Sequence, residues 1–219
     1  MPSNAIEVLH LGVQDYLSTY EAMKEFTQQR TESTQDQIWV LEHPPVFTLG
    51  LAGEMQHLLV EHSDIPVVRV DRGGQITYHG PGQLVVYLLL NLKRQQLYVR
   101  ELVNKIEQAV IDTLLQLDVY AQRKPGAPGI YLSEQNIGYE YLAGAKIAAL
   151  GLKITKQCTY HGLSLNVNMD LKPFEMINPC GYPGMQTVDL ASLNKSKALL
   201  DVSNILINAL TSQLHQHHS

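Results

Sequence analysis

The chain has 219 residues, 45% of them hydrophobic and 17% charged, with a formal net charge of −5. That length buries a full core without staples, and the negative balance argues against a generic nucleic-acid binder. Two cysteines, no run approaching the ~18 apolar residues of a membrane helix, and an N-terminus without basic or apolar signal regions predict a cytoplasmic protein that lacks a disulfide scaffold and a membrane anchor.

In chain order, the first predicted element is a helix over 15–30, because Tyr16, Tyr20, Met23 and Phe26 recur at helical spacing. A strand over 37–42 stops at His43-Pro44-Pro45, with 46–48 read as its continuation and Gly50 as its end. A short strand over 67–71 enters a glycine loop. Residues 84–92 (LVVYLLLNL) are nearly continuous in apolar side chains, as in a central strand covered on both faces. A second helix over 98–117 carries the stripe Leu102, Ile106, Val110, Leu114 and Leu117. The cluster 125–129 (PGAPG) reads as a turn, 130–132 and 145–150 as the arms of a hairpin, and 133–140 as its solvated tip. A strand over 163–167 and a last helix through Leu199, Val202, Leu206 and Leu210 follow, with a polar, flexible tail at 215–219. Hairpin signals without a regular βαβ beat predict a single α/β domain, its central mixed, largely antiparallel sheet flanked by helices.

The densest functional signal is RGGQITYHGPGQ at 72–83. It lacks the Gly-Lys-Ser/Thr of a phosphate loop and does not open a helix, which excludes the dinucleotide fingerprint. Clustered glycines beside Arg72 allow a ligand close to the backbone; the plain alternative is a tight turn. Tyr78 and His79 are adjacent, so in a strand one faces the ligand and the other turns away.

These residues resemble the signature of the octanoyltransferases, which share a fold with biotin and lipoate protein ligases. Further matches follow in the family's order: HPPVFTLG at 43–50, KIAALGL at 146–152, HGLSLNVN at 161–168 and NPCGY at 178–182. The resemblance covers roughly residues 40–190 and implies a biotin/lipoate-ligase-like fold. It implies that Cys180 carries the acyl group and that Lys146 is its cationic partner. The implied acyl-binding walls are Arg72, Gly73, Gly74, Gln75, Ile76, Thr77, Tyr78 and His79, then Ala149, Leu150 and Gly151, then Gly162, Leu163 and Ser164.

From the residues alone, Cys180 sits between Pro179 and Gly181 on a constrained turn, a perch for a nucleophile but also a place for a small buried hydrophobe. A free thiol is only a few per cent thiolate near neutrality, and a neighbouring cation favours the charged form. Lys146 opens an apolar run, where a lysine is less solvated than on an ordinary surface. Cys158 and His161 could join Cys180 as three zinc ligands, but no fourth is evident and the spacing to Cys180 is long; Cys158 reads better as a packed thiol.

The implied reaction moves an octanoyl group from acyl carrier protein to a lysine of a lipoyl domain, in lipoate biosynthesis, through a thioester on Cys180. Acceptors would be the lipoyl domains of 2-oxoacid dehydrogenase E2 subunits and the glycine cleavage H protein. No cofactor, metal, nucleic acid or membrane is implied, and a monomer is expected. Burying the acyl chain at about 0.8 kcal/mol per CH₂ would supply roughly 5 kcal/mol. Gly74 or Gly162 backbone N–H groups are candidate oxyanion donors. Because the partners are typically acidic, a basic patch drawn from Arg72, Lys93, Arg94, Arg123, Lys124, Lys153 and Lys156 is expected to offset the chain's own charge. The rival readings are an ATP-dependent lipoate or biotin protein ligase and a non-catalytic module that binds lipoyl domains or acyl carriers.

Overall fold

The computed structural model describes residues 5–60, 62–181 and 183–216, and the backbone alone of Cys180. The larger of two sheets has seven strands in the order β1-β2-β6-β10-β9-β8-β7. These are β1 (Ile6–Val13), β2 (Asp36–Glu42), β6 (Gln83–Leu89), β7 (Ala121–Lys124), β8 (Ala127–Leu132), β9 (Lys146–Thr155) and β10 (Cys158–Asn166). The β1/β2 pair is parallel and every other neighbouring pair is antiparallel. Three further strands, β3 (Val46–Leu49), β4 (Val67–Arg69) and β5 (Ile76–His79), form a small sheet in the order β4-β3-β5. The chain is one α/β domain built on a large mixed, mostly antiparallel sheet with helices on it.

The centre of that sheet follows from β6, whose seven residues are all buried. One face carries Val86 and Leu88 into the main core with Ile38, Leu163 and the stripes of α2 (Val99–Gln116) and α4 (Leu199–His215). The other face carries Val85, Tyr87 and Leu89 against α1 (Tyr16–Gln29) through Tyr16, Tyr20 and Met23. Helix α1 starts where Asp15 accepts the Ser18 backbone N–H at 3.0 Å. The last carbonyls of α4 are met by a buried lysine of α2: Lys105 Nζ donates to Gln213 O at 2.6 Å and Gln216 O at 2.7 Å.

Four expectations are corrected. Residues 46–48 do not prolong β2; the chain turns at Pro44-Pro45 and β3 pairs with β4 and β5 instead. Ala127, Pro128 and Gly129, expected in a turn, belong to β8, and the turn is confined to 125–126. The 133–140 segment is not wholly solvated, since buried Asn136 donates to Tyr120 O at 2.7 Å and accepts the Tyr120 N–H at 2.9 Å. The last helix runs through His215, inside the expected tail; 217–219 lie outside the described residues.

Candidate functional site

The glycine loop joins β4 to β5 and lies over the second face of the large sheet. Gly73 N–H donates to Leu152 O on β9 at 3.1 Å, tying loop to sheet. The Arg72 guanidinium turns inward and donates to Thr48 O and Thr48 Oγ1, both at 2.7 Å, and to Gly73 O at 3.0 Å. Between loop and sheet runs a narrow, partly open groove. Arg72 through Thr77, His79, Ala149 through Gly151 and Gly162 through Ser164 all border it. Tyr78 does not: its ring packs on the far side against Phe47 and Phe174, while His79 turns toward the groove. Gly162 is needed for close approach, because a Cβ there would fall 2.0 Å from Val86 O.

The Val85 side chain faces this groove, and Tyr16, Tyr87, His79 and His161 add a polar base; Ile76, Leu150 and Leu163 border it while their side chains turn into the adjoining cores. That base is fully wired. His43 Nδ1 donates to Gln14 O at 2.7 Å, which leaves Nε2 to accept from Tyr87 Oη at 2.7 Å. His79 Nδ1 donates to Gln83 Oε1 at 2.7 Å, and Gln83 Nε2 donates to Asn166 Oδ1 at 2.9 Å. Burial holds both histidines neutral, with pKa values pushed down to about 4 for His43 and about 3 for His79. Asp71 receives His161 Nε2 at 3.2 Å and the Tyr160 hydroxyl. Burial would raise the Asp71 carboxyl, but hydrogen bonds from His161, Tyr160 and Tyr20 outweigh it and hold it well below the usual range.

Lys146 is the first residue of β9 and only 4% exposed. Its Nζ donates to Pro128 O at 3.0 Å and lies 5.3 Å from the Tyr131 ring centroid, a cation–π distance. It borders a small cavity that shares Thr77, Ala149 and Ser164 with the groove under the glycine loop. Pro179, the residue before Cys180, borders that same cavity. Residues 179–181 form a single 3₁₀ turn whose Gly181 backbone packs against Gln75 of the glycine loop, 3.3 Å from an added Cβ to Gln75 Cγ. The segment is anchored at both ends: Asn178 N–H donates to His57 O at 2.8 Å, and Lys146 N–H donates to Gln186 O at 2.8 Å. The strand residue that supplies the lysine therefore also pins the exit of the cysteine loop. The Cys180 side chain lies outside the described part of the structure.

A third depression, open to solvent, shares Phe174, Pro179 and Thr187 with the lysine cavity. The three spaces thus follow one another past Lys146. Cys158 lies at the other end of β10, buried, its thiol pushed up by burial, and among the described residues no three His, Cys, Asp or Glu side chains cluster as a metal site. Of the expected basic residues, Arg72 and Arg94 are committed internally, Arg94 to Thr34 O at 2.7 Å and Asp36 at 3.2 Å; Lys93, Arg123, Lys124 and Lys156 are exposed and Lys153 half-buried.

The catalytic-domain family of lipoyl protein ligases A and B matches residues 15–211. An octanoyltransferase of Polynucleobacter necessarius is 58% identical over 207 residues, covering 94% of this chain and 97% of that one. The chain belongs to the octanoyltransferase family, a family of acyltransferases. An octanoyltransferase of Cupriavidus necator is 56% identical over 95% of this chain and 76% of its own. The octanoyltransferase fold extends to distant ligases. A bipartite lipoate protein ligase from Thermoplasma acidophilum superposes with TM-score 0.72 at 13% identity, covering 98% of this chain and 86% of that chain. A biotin protein ligase from Aquifex aeolicus in complex with biotin and ATP gives 0.57 at 14%, over 95% of this chain and 70% of its own. Among the described residues of this octanoyltransferase-family chain, no helix is long and apolar enough to cross a membrane.

Sequence reasoning did not single out Gly129, Tyr131 or Glu107, which surround Lys146 directly or through one hydrogen bond. The signal for Glu107 was present: a carboxylate next to Ile106 on the apolar stripe of α2 needs a partner.

Proposed function

We propose that this chain transfers an octanoyl group from octanoyl-acyl carrier protein to a lysine of lipoyl domains, through an acyl thioester on Cys180. The observation that carries the reading is the buried Lys146 at the junction of the groove under the glycine loop and the loop bearing Cys180. In the first half-reaction the Cys180 thiolate attacks the carbonyl of the donor thioester, the tetrahedral intermediate collapses, and the carrier thiolate leaves with a proton from Lys146. In the second, the acceptor lysine amine attacks the Cys180 thioester, Lys146 takes the amine's proton, and the thiolate is restored as the amide forms. Because the donor is already a thioester, the reaction needs no nucleotide to activate the acyl group.

The groove between the glycine loop and β6, β10 and β9 would hold the acyl chain. The solvent-open depression on the other side of Lys146 offers the approach for the donor's thiol arm and then the acceptor lysine. The covalent intermediate lets two protein partners use that approach in turn.

Incubating the chain with octanoyl-acyl carrier protein and a lipoyl domain without ATP tests this. Octanoylated lipoyl domain is the expected product; strict dependence on ATP would favour a ligase, the activity named for the distant structural relatives.

A further inference from the structure

We propose that Glu107 is a positioning residue for Lys146, acting through the Pro128–Gly129 peptide bond. This rests on the role just given to Lys146. The peptide stands between the two charged groups. On one side its carbonyl, Pro128 O, accepts from Lys146 Nζ at 3.0 Å. On the other its N–H, from Gly129, donates to Glu107 Oε1 at 3.2 Å. Carboxylate, peptide and ammonium form a chain in which each hydrogen bond polarises the next. A carboxylate at the N–H end makes the carbonyl oxygen a better acceptor, so the lysine is drawn to one place and one orientation.

The surroundings are arranged for this contact. Glu107 is 7% exposed and Lys146 4%, so water screens the chain little. Gly129 has φ +122°, and a Cβ there would lie 2.6 Å from Lys146 Cε and 3.0 Å from its Nζ. Only glycine lets the lysine stem cross the face of that peptide. The second oxygen of Glu107 accepts from Arg123 Nε at 3.1 Å, which holds the carboxylate without competing for the Gly129 N–H. That ion pair alone is a poor reason to bury the carboxylate: the Arg123 side chain is 39% exposed, and half-solvated pairs contribute little.

The test is a double-mutant cycle on the full chain, read as steady-state transfer from octanoyl-acyl carrier protein and as the single-turnover rate of enzyme acylation. Glu107→Gln keeps size and an acceptor oxygen but removes the charge. It is expected to lower kcat about tenfold with KM changed less than about twofold, as misplacing a reacting group does. In a Lys146→Ala background the same change is expected to cost less than about twofold, because its target is gone. Thermal melts confirm that each variant is folded. Equal losses from Glu107→Gln in both backgrounds, or a wild-type kcat in the Glu107→Gln single variant, would overturn the positioning role and leave the function of Lys146 standing. Wild-type turnover in Lys146→Ala would overturn the role of the lysine and this inference with it.

Discussion

Lys146 Nζ is held by Pro128 O at 3.0 Å and by the Tyr131 ring at 5.3 Å, in a cavity it shares with Pro179. A lysine fixed in this way is suited to giving and taking a proton, as the proposed mechanism requires, rather than to attracting a partner from solution. Lys146→Ala is therefore expected to reduce kcat by about 10²- to 10⁴-fold, the usual contribution of a positioned acid–base group, while affinity for the carrier protein changes little. Kinetics together with a binding titration check it, and parallel losses in both would remove the proposed role. The burial of this lysine was legible from its place at the start of an apolar run and its proposed role only from the family resemblance, but its seat was legible from neither. Gly129 and Tyr131 meet it from β8, and Glu107 reaches the same peptide from α2, a spatial convergence that no local pattern encodes. Tyr78 and His79 show the reverse case. Strand alternation requires one of them to face the groove, and only the packing of Phe47 and Phe174 around Tyr78 decides that it is His79.

Among elements, the long periodic ones were readable. The stripes of α1, α2 and α4 and the apolar run of β6 bury the faces they promise. Three strands escaped notice: β5, inside the glycine-rich stretch, and β1 and β7, the two edges of the large sheet. β1 is half-buried with no clean alternation, and three of the four residues of β7 are exposed, so neither carries a hydrophobic period. Edge strands are polar for a reason, since a charged edge discourages pairing with other chains. The Pro128-Gly129 pair read as a turn because its composition is that of a turn; the strand accommodates it with a register shift against β7, where Arg123 pairs with Ile130 and Lys124 with Ala127. Lys105 was similarly hidden within the α2 stripe. Its ammonium, 7% exposed, satisfies two terminal carbonyls of α4 and complements that helix's negative end. Lys105→Ala is expected to lower stability by about 1.5–3 kcal/mol, the range for charged hydrogen bonds, and to leave KM unchanged. Thermal unfolding checks it; an unchanged melting temperature would show that the bond is incidental.

Among the described residues three histidines beneath the groove, His43, His79 and His161, have pKa values lowered by burial, and this shapes the acid response. The folded-state pKa values of His43 and His79 are pushed down to about 4 and about 3 from 6.5 by burial. The unfolded chain therefore binds protons on these histidines that the folded chain does not as pH falls below 6.5. Stability present at neutral pH should be lost progressively from about pH 6.5 toward pH 4, with a limiting slope of about 1.4 kcal/mol per pH unit for each histidine. Denaturant unfolding at pH 7 and pH 5 measures it, and His79→Gln should reduce the slope by one histidine's share; a flat profile would contradict neutral burial. Net charge raises a second question at this scale. A chain at −5 must attract partners that are typically acidic, and Arg72 and Arg94 are spent on internal contacts. The exposed Lys156 and half-buried Lys153 lie near the β9–β10 turn, on the strand whose Leu152 holds the glycine loop. Lys153→Glu with Lys156→Glu is expected to raise KM for the carrier protein several-fold at low salt and little at high salt, with kcat retained. A salt-independent KM would place the docking patch elsewhere.

The central claim is the covalent step on Cys180. Intact-mass measurement of the chain after brief exposure to octanoyl-acyl carrier protein, without an acceptor, tests it most directly. One octanoyl group on the wild-type chain, absent from Cys180→Ser and discharged when lipoyl domain is added, is the predicted result. An unmodified wild-type mass under conditions that still yield octanoylated lipoyl domain would contradict it.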